Sequence, residues 1–261
     1  MDFIEVNGTA LRYDLSGAGA QTLVLVHEMG GTLESWDLVL PALAAGRRVL
    51  RYDTRGAGLS EKIRGPLAMK TMVDDLAALL DALAIREPVA LAGTAVGAGI
   101  ALAFAARHPE RTRALIVTSP ATEVTGERRT ATLARAAAVE QSGMAAVAEA
   151  ALAASYPPQL RTDAARFHRF RARWLGNDPT SYAAISRMLA DLTTDLSSIH
   201  CPTLVIAATL DGLRPPETVE PIARAIPGAE FLTLESGHFM ALQTPEPVSA
   251  AFTHFLDTHA R

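Results

Sequence analysis

The sequence is poor in cysteine, in aromatic side chains and in positive charge. Its 261 residues include one cysteine, Cys201, so an intrachain disulfide is excluded and a cysteine-based metal cluster is not supported. The 28 acidic residues outnumber the 24 basic ones, which gives a formal net charge of −4. Because nucleic-acid binding requires concentrated positive charge, we expect no nucleic-acid partner.

The N-terminus lacks the features of a targeting segment. Its first residues, MDFIEVNGTALRYDL, contain neither a basic region nor a long apolar stretch. We therefore predict neither a signal peptide nor a membrane span, and we expect a cytoplasmic protein with no membrane partner. The length is enough for one large α/β domain or for a domain with an insertion, and hydrophobic residues make up 49% of the chain, which is enough for a sizeable core.

Short apolar runs alternate with helical periodicity along most of the chain. Two alternating runs around Asn7-Gly8 predict a hairpin, and further strands are predicted for QTLVLVH, RRVLRYD, PVALAG and RALIVTSP. Helices are predicted for TLESWDLVLPALAAG, MKTMVDDLAALLDALAI and GAGIALAFAARH. Strands that alternate with helices imply a parallel sheet with helices on both faces.

The alternation stops between residues 122 and 198, where the sequence is helical in character and rich in Ala and Arg. It resumes with PTLVIAATLD, PETVEPIARAI, AEFLTLESG and PEPVSAAFTHFLDTHA. We therefore predict an α/β core formed by residues 1–121 and 199–261, with an inserted helical cap formed by residues 122–198. The strand-like runs number eight, so the core is predicted to contain a mostly parallel, eight-stranded sheet flanked by helices.

Two turns that follow predicted strands could hold a negatively charged oxygen, because ligands bind at the carboxyl ends of such strands. In VLVHEMGGTLESW (24–36), Gly30 and Gly31 allow a tight turn whose amides could form an oxyanion site, or merely a turn without chemistry. The segment Gly93–Gly97 has the spacing of the G-x-S-x-G nucleophile motif, with alanine at its centre. The amide of Val96 would be a second oxyanion donor, although tight helix–strand packing alone also requires small residues.

An acid and a histidine follow the last two predicted strands. Asp211, in ATLDGLRPPE, could orient a histidine and stabilise its protonated form, or it could simply form a turn with Gly212. His238, in LESGHFMALQTPEPV, could act as a general base and acid, or it could be a polar loop residue.

With these residues the chain resembles the α/β-hydrolases, and within that superfamily it is similar to 3-oxoadipate enol-lactonases and their relatives. The resemblance runs from about residue 10 to residue 258 and is carried by RVLRYDTRGAGLSE, AARHPERTRALIVTSPAT, PTLVIAATLDGLRPPE and SGHFMALQTPEPV. It implies a serine nucleophile at position 95, Asp211 as the acid and His238 as the base. It also implies that the amides of Met29 and Val96 form the oxyanion hole. The turn at Gly93–Gly97 (the elbow), the acid and the histidine follow one another along the chain in the order that this fold uses.

The chain departs from the family pattern at the site itself. Ala95 stands where the nucleophile is expected, its neighbours in the elbow also differ, and Glu28 replaces the glycine of many members. Without a hydroxyl at residue 95, no acyl-enzyme can form there. Glu28 could be a second acid or base. It could instead be a solvated loop carboxylate or an ion-pair partner of Arg55.

Three accounts of Ala95 stay open. In the first, a serine has been replaced in an ordinary esterase or lactonase, which explains Ala95 but not the neighbouring departures. In the second, the alanine is native, and His238 with Asp211 activates a water or moves a substrate proton, so that direct-water hydrolysis, lyase or isomerase chemistry results. In the third, the pocket binds a small ligand without catalysis.

The expected partner is a small-molecule substrate, and a substrate carboxylate could be bound by arginines of the stretch RTDAARFHRFRARW. A solvated helix face is the simpler interpretation of that stretch. The aromatic and thioether side chains that could line an apolar site or pack in the core are Trp36, Trp174, Phe239 and Met240. The sequence predicts no metal and no cofactor, because it lacks a ligand set and a G-x-G-x-x-G turn. A monomer and a homodimer are both compatible with it.

Overall fold

A single mixed sheet organises residues 1–259, which the computed structural model describes. Its strands are β1 (Asp2–Val6), β2 (Thr9–Ser16), β3 (Thr22–Val26), β4 (Arg48–Tyr52), β5 (Val89–Thr94), β6 (Thr112–Thr118), β7 (Thr203–Ala208) and β8 (Glu230–Leu234), in the spatial order β1-β2-β4-β3-β5-β6-β7-β8. β1 pairs antiparallel with β2 and β2 with β4, whereas the pairs from β3–β4 to β7–β8 are parallel. The predicted eight-stranded, mostly parallel sheet is confirmed.

Helices surround this sheet. They are α1 (Leu40–Leu43), α2 (Met69–Ala82), α3 (Val96–Arg107), α4 (Gly126–Ser142), α5 (Ala145–Ser155), α6 (Ala164–Leu175), α7 (Pro179–Ala190), α8 (Pro216–Ala225), α9 (Met240–Gln243) and α10 (Pro245–His259). The apolar side chains of α2, α3 and α8 pack on one face, and those of α1 and α10 pack on the other. The predicted α/β fold with flanking helices is therefore confirmed.

The central strands are continuous apolar runs because both of their faces are covered. In β3, Val24 and Val26 pack against the face that carries α2 and α3, whereas Leu23 and Leu25 pack against the face that carries α10. All five residues of β3 are buried. Full burial of one such Val or Leu side chain contributes about 1.5–3 kcal/mol, so these runs select the centre of the sheet.

The predicted N-terminal hairpin is present, and its turn explains its sequence. Asn7 and Gly8 both have positive φ, 48° and 66°, and Val6 pairs with Thr9 across the turn. Two consecutive residues with positive φ form the turn type that matches the twist of an antiparallel pair, and Asn-Gly is its preferred sequence.

The helix predicted for TLESWDLVLPALAAG is wrong as one continuous element. A 3₁₀ turn spans Leu33–Trp36, and the short helix α1 follows it separately. Pro41 is the physical reason, because it has no N–H to donate to the carbonyl of Asp37 four residues earlier.

Between β6 and β7 the chain forms a helical segment (residues 122–198) that contains α4, α5, α6 and α7. A short 3₁₀ turn at Pro158–Leu160 lies between α5 and α6, and another at Leu196–Ser198 lies between α7 and β7. Its helices lie over the carboxyl edge of the sheet, where they share a cavity with the strand ends. Within residues 1–259, no helix combines the length and the hydropathy that crossing a membrane requires.

The turn between β5 and α3 is closed by two glycines. A Cβ atom on Gly93 would lie 2.5 Å from the backbone of Gly97, and a Cβ on Gly97 would lie 2.2 Å from the carbonyl oxygen of Val26. Both distances are well inside van der Waals contact, and the contacting atoms are backbone that cannot rotate away. The helix can therefore approach the end of β3 only because these residues lack side chains.

We predict that Gly97→Ala destabilises the protein by about 1–3 kcal/mol, because the added methyl group overlaps the backbone of β3. Urea unfolding followed by circular dichroism measures this difference. Gly176→Ala is the matched control, since a Cβ there meets its nearest neighbour at 3.4 Å and the residue has an ordinary helical φ of −75°. Equal stability of the two variants would contradict the proposed close approach.

Candidate active site

A cavity of about 280 Å³ lies between the carboxyl edge of the sheet and the helical segment. Its wall includes Glu28 and Met29 after β3, Ala95 after β5, and His238 after β8. Parallel strands end at one edge, so residues far apart in sequence converge there. The structure thus brings together most of the residues singled out in the sequence.

Ala95 occupies a strained turn between β5 and α3. Its φ is 52° and its ψ is −112°, a conformation that costs a residue with a Cβ about 1–3 kcal/mol. The conformation is held by hydrogen bonds from the Ala95 amide to the carbonyl of Thr118 and from the amides of Gly99 and Ala121 to the carbonyl of Ala95, each at 3.0 Å. The methyl group of Ala95 lines the cavity. By contrast, the hydroxyl of Thr94 is buried against that of Thr118 at 2.8 Å, so it offers no replacement nucleophile.

Two backbone amides are available beside Ala95. Val96 is the first residue of α3, so its N–H has no partner within the helix. Met29 lies in the turn after β3, where the amide of Gly31 donates to the carbonyl of Glu28 at 3.0 Å. Within residues 1–259, neither Met29 nor Val96 uses its amide in a loop hydrogen bond, and both residues line the cavity. This pair has the chemistry of an oxyanion site.

Asp211 and His238 form a buried hydrogen-bonded pair. His238 Nδ1 lies 2.7 Å from Asp211 Oδ2, and the two residues are 7% and 3% exposed. Because the ionised carboxylate can only accept, Nδ1 carries the proton and Nε2 is the basic nitrogen of the neutral ring. The part of the chain that the structure describes offers Nε2 no hydrogen-bond partner. Nε2 is therefore available to a ligand in the cavity.

The environment of Asp211 keeps it ionised. Burial alone would raise the pKa of Asp211, but the nearby His238 ring and the hydrogen bonds that Asp211 accepts hold that pKa below its ordinary value. Ser119 donates its hydroxyl to Oδ2 at 2.7 Å, and the amides of Leu213 and Arg214 donate to Oδ1 at 2.8 and 3.0 Å. An anion held in this way stabilises a protonated imidazole.

Ser119 is a site residue that the sequence reasoning missed. It follows β6 directly, lines the cavity and has a positive φ of 44°. A hydroxyl residue at the carboxyl end of the predicted strand RALIVTSP was the available signal.

Glu28 is neither a solvated loop residue nor an ion-pair partner of Arg55. It is 3% exposed, and its Oε1 accepts a hydrogen bond from the hydroxyl of Ser35 at 2.8 Å. Arg55 pairs with Asp75 instead, at 2.6 Å. The Glu28 side chain packs so closely on Gly31 that a Cβ there would lie 2.4 Å from the carboxylate carbon. A buried carboxylate therefore lines the same cavity as His238.

Other predicted substrate contacts are placed differently. Trp36 lies in the core, 1% exposed, with its ring 6.3 Å from that of Phe252, and it does not line the main cavity. It ends the 3₁₀ turn before α1, which directs it toward α10. Gly30 faces Trp174, since a Cβ there would lie 2.6 Å from the indole nitrogen. Trp174 and Phe239 do line the cavity, whereas Met240 is buried in the core.

The arginines of α6 and the residues before it are not at the cavity. Arg161 lies over the ring of Phe167, Arg166 donates to the carbonyl of Leu242, and Arg171 pairs with Glu149. The arginines that do line the cavity are Arg128, Arg135 and Arg214. Helical periodicity alone could not show which of the many arginines face inward.

The family follows from comparison with known proteins. Residues 21–245 match the family model described as the alpha/beta hydrolase fold. The chain belongs to the α/β-hydrolase fold family. This assignment agrees with the sheet order and with the strand–turn–helix arrangement at Ala95.

Relatives of this α/β-hydrolase include enzymes that act on acyl compounds. The chain is 30% identical over 247 residues to a protein of Caulobacter sp. (strain K31) provisionally named carbamate hydrolase RutD, covering 92% of each sequence. It superposes on a thermophilic esterase from Thermogutta terrifontis, described with malate bound, with a TM-score of 0.93, 27% identity and coverage of 99% and 100%. It superposes on the enol-lactonase from Burkholderia xenovorans LB400 with a TM-score of 0.90, 27% identity and coverage of 98% and 100%.

We predict that Ala95→Ser makes this α/β-hydrolase react covalently with a fluorophosphonate, because the new hydroxyl would lie beside His238 and the two amides. Intact-protein mass spectrometry detects the adduct. The unsubstituted protein should remain unlabelled. The double variant Ala95→Ser with His238→Ala is the control, and equal labelling of the single and double variants would exclude activation by His238.

Proposed function

We propose that this chain is an enzyme that acts on a small carboxylic ester or lactone, with His238 activating a water molecule rather than a serine. The observation that carries the proposal is the buried Asp211–His238 pair, 2.7 Å apart, at a cavity that also contains Ala95. Residues 122–198 are proposed to act as the cap that encloses the substrate.

The hydrolytic step uses groups that line the cavity. His238 Nε2 takes a proton from water while the water oxygen attacks the substrate carbonyl carbon. The amides of Met29 and Val96 would stabilise the oxygen anion that forms. When the carbon–oxygen bond to the leaving group breaks, the imidazolium returns its proton to that oxygen. The products are a carboxylic acid and an alcohol, or a hydroxy acid from a lactone.

The absence of a side-chain hydroxyl at Ala95 suits this route. The alanine methyl group leaves room beside the elbow, and His238 Nε2 together with the two amides offers polar partners that can hold a small ligand or a water. The same elbow would present a nucleophile if residue 95 were serine. The route therefore requires the strained turn and the acid–base pair but not a covalent intermediate.

The relatives support an acyl substrate. The names of the matched proteins refer to a carbamate, to esters and to an enol-lactone. All three classes react at a carbonyl carbon whose oxygen becomes negatively charged. The names of the relatives therefore support a reaction at a carbonyl carbon. That the leaving group is the alcohol oxygen of an ester or lactone is part of the proposal.

Glu28 favours a second candidate function. A buried carboxylate that lines the cavity together with His238 could move a proton on the substrate, as in lyase or isomerase chemistry. In that reaction Glu28 and His238 would act as an acid–base pair on a substrate carbon, and no water would be consumed.

We expect His238→Ala to lower turnover of esters or lactones by about 10²–10⁴-fold, because the general base is lost. A panel of activated esters and enol-lactones, followed by product formation, provides the test, with Ala95→Ser measured in parallel. Unchanged turnover in His238→Ala would overturn the proposal. A gain of several orders of magnitude in Ala95→Ser over a nearly inactive parent would identify a disabled serine hydrolase instead.

The second candidate predicts that Glu28→Gln lowers turnover by about 10²–10⁴-fold without loss of fold, since glutamine keeps the acceptor for Ser35. Ser35→Ala is the matched control, because it removes the hydrogen bond but retains the carboxylate. Equal turnover in Glu28→Gln and the parent would remove Glu28 from the reaction. Product mass distinguishes isomerisation from hydrolysis.

A further inference from the structure

Three arginine side chains line the cavity together with Ala95 and His238. Arg128 and Arg135 lie on α4, and Arg214 lies on the loop between β7 and α8. Across residues 1–259, none of the three forms an ion pair. Arg128 donates Nη2 to the carbonyl of Leu213 at 2.9 Å, and Nε of Arg135 is buried without a partner.

The buried arginines of the chain, within residues 1–259, are paired. Arg12 lies 2.7 Å from carboxylate oxygens of both Asp53 and Glu34, and Arg51 pairs with Asp14 at 2.9 Å. These pairs show the usual solution for a buried guanidinium, which is a carboxylate within hydrogen-bond distance. Arg135 and Arg214 are partly buried at the cavity wall and Arg128 is exposed, and none of the three has such a carboxylate partner among residues 1–259.

The positive charge of Arg214 is disfavoured by its surroundings. Burial lowers its pKa, and the positive charge of Arg128 lowers that pKa further. Asp211 attracts it, but the Asp211 oxygens are already occupied by Ser119, His238 and two backbone amides, including that of Arg214 itself. A half-buried cation beside a like charge is unfavourable until an anion binds.

We propose that Arg128 and Arg214 form a subsite for a carboxylate group of the ligand, so that the cavity selects anionic esters or lactones over neutral ones. A cavity of about 280 Å³ is small, so one ligand can contact this subsite and His238 together. Arg135 adds positive charge to the same cavity. The identification of the ligand as a substrate rests on the proposed function, whereas the carboxylate subsite does not.

Calorimetric titration of the full chain with glutarate, and with its neutral diamide glutaramide, tests the subsite without turnover. We expect glutarate to bind and glutaramide to bind at least tenfold more weakly. Arg214→Gln should weaken glutarate binding by about 10–100-fold, the range for charge-assisted hydrogen bonds. Arg169→Gln is the matched control, since this exposed arginine of α6 does not line the cavity. The affinity of this variant for glutarate should equal that of the parent.

Thermal unfolding separates a binding role from a structural one. Because Arg214 has no ion-pair partner within residues 1–259, Arg214→Gln should leave Tm unchanged or raise it. Arg214→Lys should retain part of the glutarate affinity, since it keeps the charge but loses the planar fork. Equal binding of glutarate and glutaramide, or unchanged glutarate binding in Arg214→Gln, would overturn the proposal.

Turnover distinguishes failure of the subsite from failure of the proposed function. We expect monomethyl glutarate to be hydrolysed with a higher kcat/KM than dimethyl glutarate, and Arg214→Gln to remove this preference. Glutarate binding that depends on Arg214, without turnover of any ester or lactone, would retain the subsite and overturn the hydrolase proposal. Turnover with no preference for the carboxylate would retain the hydrolase proposal and overturn the subsite.

Discussion

The contact between the start of α3 and the end of β3, at Gly97, is the constraint on which the arrangement of the cavity depends. A side chain at Gly97 would overlap the carbonyl oxygens of Val26 and His27, so the helix reaches this position only with glycine. The approach places the amide of Val96 beside the turn that carries Met29. It also forces the chain through a strained conformation at Ala95, whose hydrogen bonds to three neighbouring segments hold it there.

Charge is distributed unevenly around the cavity. At one place, the negative charge of Asp211 is surrounded by four donors, which is why its pKa stays low in spite of burial. At another place, burial and the nearby positive charge of Arg128 lower the pKa of Arg214. In the proposed mechanism, the first arrangement prepares His238 to accept a proton and the second binds the anionic group of the ligand. Binding and proton transfer would then be carried out by different groups.

Sequence patterns predicted the fold well because burial on two faces leaves a direct signal. The apolar runs of β3, β5 and β7 and the Asn7-Gly8 turn required no knowledge of distant contacts. The predicted helix around Pro41 failed because its apolar periodicity continued past a residue that cannot donate the necessary hydrogen bond. Hydrophobic periodicity shows which face of a helix would be buried, whereas the missing N–H is a property of Pro41 alone.

The residues of the candidate site were predicted only in part, because some are identified by their position after a strand and others only by three-dimensional packing. Ala95, Asp211 and His238 follow strands and are identified by position, but Trp36 packs in the core and Ser119 was not singled out. The arginines show the limit most clearly. A dense arginine stretch attracted attention at residues 161–173, yet the cavity is lined by Arg128, Arg135 and Arg214, which are isolated or inconspicuous in sequence. Which arginine lacks a partner depends on three-dimensional packing that no local pattern contains.

Three unfavourable features meet at this cavity, and they have a common explanation in the proposed chemistry. Glycine at position 95 would relieve the backbone strain, and apolar residues in place of the buried Asp211–His238 pair would avoid its desolvation. An ion-pair partner would stabilise Arg214. A protein that needed only a stable core would gain from each of these changes. A cavity that binds an anionic acyl compound and moves a proton beside it requires all three features, because strain places the amides, the pair supplies the base and the unpaired cation holds the ligand.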